Sequence, residues 1–98
     1  MEITLQYFDG CPNWTVAAER LKLLTVERPD IAIVYQRIDT VDMAERVRFR
    51  GSPTILLDGV DIMSDASGPV GLACRIYMTA DGPAGAPSTT QLRGAILG

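Results

Sequence analysis

Two β-rich runs separated by one stretch of helical periodicity constrain this chain more than any other feature. Residues 2–8, EITLQYF, alternate Ile3, Leu5 and Tyr7 against Thr4, Gln6 and Phe8, and read as a strand. Residues 31–39, IAIVYQRID, form a second, long and β-branched strand. Between them Trp14, Val16, Ala17, Leu21 and Leu24 recur opposite Glu19, Arg20, Lys22 and Glu27. This is the pattern of an amphipathic helix of about four turns, stopped by Pro29. Pro12 suits the first helical position, because its missing N–H has no intrahelical partner there.

Downstream, TVDMAERVRF reads as a helix, with Thr40 as N-cap and Asp42 favourable in the first turn. GSPTILLDG gives a turn and a strand over residues 54–58, and Asp58-Gly59 makes a tight hairpin into a short strand, VDIM. Residues 64–87, rich in glycine and proline, read mainly as loop with a short strand at CRIYM. A last helix starts at Ser88, where Ser88-Thr89-Thr90-Gln91 is a capping box. The expected order is β-α-β-α-β-β-α. That is an α/β fold in one domain spanning residues 1–98, with a four-stranded mixed sheet and three main helices.

Composition narrows the function. Ninety-eight residues hold one core. A net charge of −3 with no basic run argues against a nucleic-acid partner. No apolar run approaches the ~20 residues of a membrane span, and MEITLQYF lacks the basic and apolar regions of a secretory signal. The expected location is therefore the cytoplasm. Histidine is absent, which removes the commonest general base, the commonest metal ligand and any Cys-His pair. Neither a metal nor a cofactor motif is present. The most reactive side chains are Cys11 and Cys74, and in a reducing compartment two cysteines are not a structural framework. They are either buried spectators or the chemistry.

Three features carry a family resemblance. Cys11-Pro12 falls directly between the first strand and the first helix, VRFRGSPTILLDG places Pro53 at the opening of the third strand, and the element order agrees from Met1 to Gly98. In these the chain resembles the thioredoxin/glutaredoxin superfamily. The resemblance implies a three-layer thioredoxin-like fold, a cis Ser52-Pro53 bond and a nucleophilic Cys11 thiolate. It also implies that the loop at Pro53, with Ser52 and Thr54, contacts a thiol substrate beside Cys11-Pro12. Read from the residues themselves, Trp14 either faces that substrate or packs in the core, and Arg75, like Arg50, either lends positive charge or is a solvated surface residue. The chain departs from the pattern at Trp14, which stands where the second cysteine of Cys-x-x-Cys belongs; monothiol glutaredoxins also lack that cysteine. A looser resemblance is to short thioredoxin-like proteins labelled alkylmercury lyases, which share a CRIY-like segment.

The chemistry follows from position. A thiolate, not a thiol, attacks disulfides or soft metals, and a helix N-terminus favours negative charge. Asp9, two residues before Cys11, opposes that effect. Cys74 lies 63 positions from Cys11, after a hairpin that returns toward the same end. It reads as a distal resolving thiol, which requires Cα atoms within about 4.4–6.8 Å, and equally as a loop anchor between Leu72 and Ile76. Three functions stand open. One is a thiol–disulfide oxidoreductase acting on a protein or low-molecular-weight thiol. Another is a soft-metal or organomercurial binder using both thiolates, and the third is a non-catalytic interaction module. Nothing in the sequence fixes the oligomeric state.

Overall fold

Strand β1 (Glu2–Tyr7) lies inside the sheet, and the rest of the chain is arranged around it. The computed structural model describes residues 1–63 and 70–98. Helix α1 (Trp14–Glu27) carries the chain from β1 to β2 (Ala32–Arg37), which pairs parallel to β1 in the register Ile3↔Ile33 and Leu5↔Tyr35. Helix α2 (Val41–Val47) leads to β3 (Thr54–Leu57), antiparallel on the other side of β1, and β4 (Val60–Asp61) closes a four-stranded mixed sheet in the order β2-β1-β3-β4. The β3–β4 turn uses Asp58 at φ 49° and Gly59 at φ 89°. Positive φ at both central residues gives the turn a twist that matches its strands, which is why an Asp-Gly pair serves here.

Two buried clusters form, one on residues of β1, β2 and β3 and the other on the residues that directly follow β1 and β2. Ile3 and Leu5, with Ile33 and Ile55, face Ala17, Leu21 and Leu24 of α1 and Leu92 and Ile96 of α3 (Thr89–Leu97). Phe8 and Ile38 instead meet Ala44 of α2 and Phe49 in a second cluster. Each large side chain buried this way contributes about 1.5–3 kcal/mol. Val16, expected on the buried face of α1, is exposed, and Ala18 is buried in its place. At about 100° per residue, Trp14 together with Ala17, Leu21 and Leu24 centres the stripe on the side nearer position 18 and turns position 16 outward. Exposed α1 and α3 side chains add an Arg93–Glu27 ion pair. Ser88 caps α3, its hydroxyl accepting from Gln91 N while the Gln91 side chain accepts from Ser88 N.

Two further expectations need correction. The stretch expected as loop with a strand at CRIYM instead folds, within its described part, into a separate two-stranded hairpin, β5 (Tyr77–Thr79) with β6 (Gly82–Ala84). The element order therefore gains two strands before α3; residues 64–69 of the expected loop lie outside the described residues. Pro12 is not the first helical residue. Its carbonyl accepts from Thr15 N at 3.1 Å and Thr15 Oγ1 at 2.8 Å, closing a turn ahead of the helix, and Asn13 is the N-cap. No described helix is long and apolar enough to cross a membrane.

Candidate functional site

Cys11 leaves β1 through a tight turn in which its N–H donates to the Phe8 carbonyl at 3.0 Å. The side chain enters the protein and is completely buried, at 0% exposure. There it forms a disulfide with Cys74, with the Cα atoms 5.7 Å apart. Two polar groups approach the Cys11 sulfur, each at 3.7 Å: the Ser52 carbonyl oxygen and the Asn13 side-chain amide, which donates to it. The amide favours a negatively charged sulfur, and the carbonyl accepts from the thiol when the sulfur is protonated. Asp9, expected to oppose a thiolate, is paired at the surface with Arg37 at 3.2 Å.

Cys74 is held by the backbone on either side of it. Ser52 N donates to the Ala73 carbonyl at 2.8 Å, and Arg75 N donates to the Ser52 carbonyl at 3.0 Å, so Ser52 and Cys74 form a short parallel bridge. Gly71 N adds a bond to Phe49 O at 3.0 Å. Gly51, at φ 122°, makes this approach possible: a Cβ there would lie 2.9 Å from the Arg75 Cβ and 3.2 Å from its backbone. The Ser52-Pro53 bond is cis.

Arg75 is 4% exposed and reaches toward the β3–β4 hairpin. Its guanidinium pairs with Asp61 at 2.9 Å and donates to the Met63 carbonyl at 2.6 Å and to Thr54 Oγ1 at 3.3 Å. It also lies 4.7 Å over the Tyr77 ring. Its Nε is buried without a hydrogen-bond partner among the described residues. Tyr77 donates its hydroxyl to the Pro53 carbonyl at 2.5 Å, and burial pushes its acidity well below that of a free tyrosine. Arg75 thus fastens the residue after Cys74 to the sheet.

The expected site residues divide accordingly. The fold brings Cys11, Ser52, Pro53, Thr54, Cys74 and Arg75 together. Ser52 and Thr54 are buried, the Ser52 hydroxyl accepting from Phe8 N at 3.0 Å and the Thr54 hydroxyl donating to Gly51 O at 2.6 Å. Both polar side chains are engaged inside the protein in the oxidised state. Pro12 is exposed beside the buried Cys11. Trp14 turns toward the sheet, stacked on Tyr7 with centroids 4.2 Å apart and edge-on to Tyr35 at 6.5 Å. These three aromatics line an open groove of about 520 Å³, flanked by Glu19 and Lys22 and not lined by either cysteine.

Asn13, Asp61 and Tyr77 are the residues that sequence reasoning missed. Asn13 lies between Cys11-Pro12 and Trp14, and its amide was the available signal; nothing local singled out Asp61. Among the described residues no group of three or more His, Cys, Asp or Glu is placed to hold a metal. Comparison with known proteins finds no matching family model, no similar curated protein and no similar solved structure.

Proposed function

We propose that this protein is a thiol–disulfide oxidoreductase that cycles between the Cys11–Cys74 disulfide and the corresponding dithiol. The observation that carries this reading is the pairing itself. A cysteine at the end of β1 meets a cysteine 63 positions away, beside a segment opened by Pro53, with an amide donor aimed at the buried sulfur. The fold reading that accompanies it is thioredoxin-like. Its support is the strand order β2-β1-β3-β4, the helix after each of β1 and β2, and the division of the apolar residues into two clusters. That division fits a sheet covered by helices on both faces. In this reading Cys74 supplies the second thiol that Trp14 displaces from the motif, and the partner is a low-molecular-weight or peptide thiol in a reducing compartment.

A second reading is a permanent staple, which the long loop between the cysteines favours. The two differ in reduction potential. Equilibrating the protein in glutathione buffers of graded ratio and trapping free thiols for mass spectrometry gives that potential directly. A redox couple falls between about −300 and −120 mV, the span between structural disulfides and the strongest dithiol oxidants. A potential below about −300 mV identifies a staple and refutes the oxidoreductase.

A further inference from the structure

The two cysteines of the bond sit in different surroundings, one residue enclosed and the other exposed, and the difference assigns them separate tasks. Cys11 is completely enclosed, whereas Cys74 is exposed. Thiol–disulfide exchange is an in-line displacement: the incoming thiolate approaches one sulfur along the S–S axis and the other sulfur leaves. The geometry points to Cys74 as the sulfur that exchanges with solution and to Cys11 as the internal leaving and resolving thiol. This inverts the order expected from the sequence, in which Cys11 makes the first attack. It rests on the oxidoreductase reading above.

Both halves of the reaction follow from named contacts. In reduction, a low-molecular-weight thiolate attacks the Cys74 sulfur, forms a mixed disulfide there, and expels Cys11 with the electron pair of the broken bond. The charge develops on a sulfur that already accepts from the Asn13 amide at 3.7 Å. A second thiolate then attacks the small-molecule sulfur of the mixed disulfide and expels the Cys74 thiolate. Two external thiols become one external disulfide, the protein gains two electrons, and the protons of the two thiols pass to Cys11 and Cys74 or to solvent. In the reverse direction Cys74 attacks a small disulfide and releases one thiolate. Cys11 then attacks the Cys74 sulfur and releases the other.

Cys74 is suited to the outer task because its position does not depend on the disulfide. The Ser52 N–Ala73 O and Arg75 N–Ser52 O bonds bracket it, and the Arg75 side chain is anchored on Asp61 and the Met63 carbonyl. After reduction these contacts keep the outer sulfur beside the inner one, ready for resolution. Cys11 is suited to the inner task because its surroundings exclude a bulky attacker while its nearest side-chain donor receives a thiolate.

The test uses the full chain and glutathione as the probe. Oxidised wild-type protein is mixed with reduced glutathione, quenched with acid at short times, and digested to locate the glutathione adduct. The expected adduct is on Cys74; an adduct on Cys11 overturns the assignment while leaving the oxidoreductase reading intact. A disulfide that glutathione leaves closed overturns both. As a second measurement, Cys11→Ser and Cys74→Ser are treated with oxidised glutathione. Cys11→Ser, which keeps the exposed thiol, should gain its adduct at least about tenfold faster than Cys74→Ser, because access limits exchange. Equal rates, or a faster Cys74→Ser, overturn the assignment. Wild-type trapping holds whether or not either variant loses stability.

Discussion

Reducing the Cys11–Cys74 bond is expected to destabilise the domain strongly, and the size of the loss follows from the loop it closes. The cysteines are separated by 63 residues, most of the chain. Chain-entropy scaling for a loop of that length gives about 4 kcal/mol at 25 °C, released from the unfolded state on reduction. The native side adds little to offset this, because Gly71, Ala73 and Arg75 are tied to Phe49 and Ser52 by backbone bonds that do not involve sulfur. Urea unfolding with and without a phosphine reductant measures the difference. For a chain of this size about 4 kcal/mol also lowers the melting temperature by roughly 15–30 °C. The same free energy must reappear in the redox equilibrium. About 4 kcal/mol corresponds to roughly 90 mV for a two-electron couple, so the folded pair should be that much harder to reduce than the same pair in denaturant. A stability loss under about 1 kcal/mol, with equal potentials folded and unfolded, would show that the reduced fold does not hold the cysteines together. That result would refute the preorganisation on which the site depends.

Three further outcomes test the surrounding structure. Gly51→Ala places a side chain at φ 122° and a Cβ 2.9 Å from Arg75, so it should cost about 2–4 kcal/mol in urea unfolding and slow disulfide closure; a change within about 0.5 kcal/mol would mean the segment yields freely. Tyr77→Phe leaves the buried Pro53 carbonyl without its donor and should cost about 1–3 kcal/mol near neutral pH. Because burial holds the folded hydroxyl protonated past the pH at which the unfolded chain ionises, wild-type stability is full below about pH 10 and falls by about 1.4 kcal/mol per pH unit above it. An equal alkaline slope in Tyr77→Phe would contradict that cause. A Cβ at Gly85 would overlap the Asn13 side chain, so both Gly85→Ala and Asn13→Ala should take the amide off Cys11. Each should slow glutathione reduction of the disulfide about threefold to tenfold, about 1 kcal/mol of lost leaving-group stabilisation, and unchanged rates would remove Asn13 from the mechanism.

What the sequence made legible was local. The β1–α1–β2 unit followed from two periods in one stretch, the β3–β4 turn from Asp58-Gly59 and the start of α3 from the Ser88–Gln91 box, each written within a few neighbouring residues. The β5–β6 hairpin was hidden because β6 is Gly82-Pro83-Ala84, a composition that demotes a strand. Pro83 is tolerated because this two-stranded pair stands apart from the main sheet and needs no central donor at that position. Arg75 was unreadable for a different reason: an arginine defaults to the surface, and its partner Asp61 is local only once the hairpin has formed.

The same limit explains why the sequence left the pairing of the two cysteines open and placed Cys11 at a helix terminus. Their approach is a property of topology, since β4 runs back toward the end of the sheet where β1 stops and Cys74 bridges to Ser52, just ahead of β3. The setting of Cys11 depends on the four residues 10–13. Had Pro12 opened the helix, Cys11 would have stood at its N-terminus as a helix-activated nucleophile. Instead the Pro12–Thr15 turn starts the helix at Trp14. That leaves Cys11 in the preceding turn, facing inward, and puts Asn13 where its side chain returns to the sulfur. A shift of two residues at one helix boundary, within the ordinary uncertainty of reading such boundaries, therefore separates a helix-terminal Cys11 from the enclosed one observed.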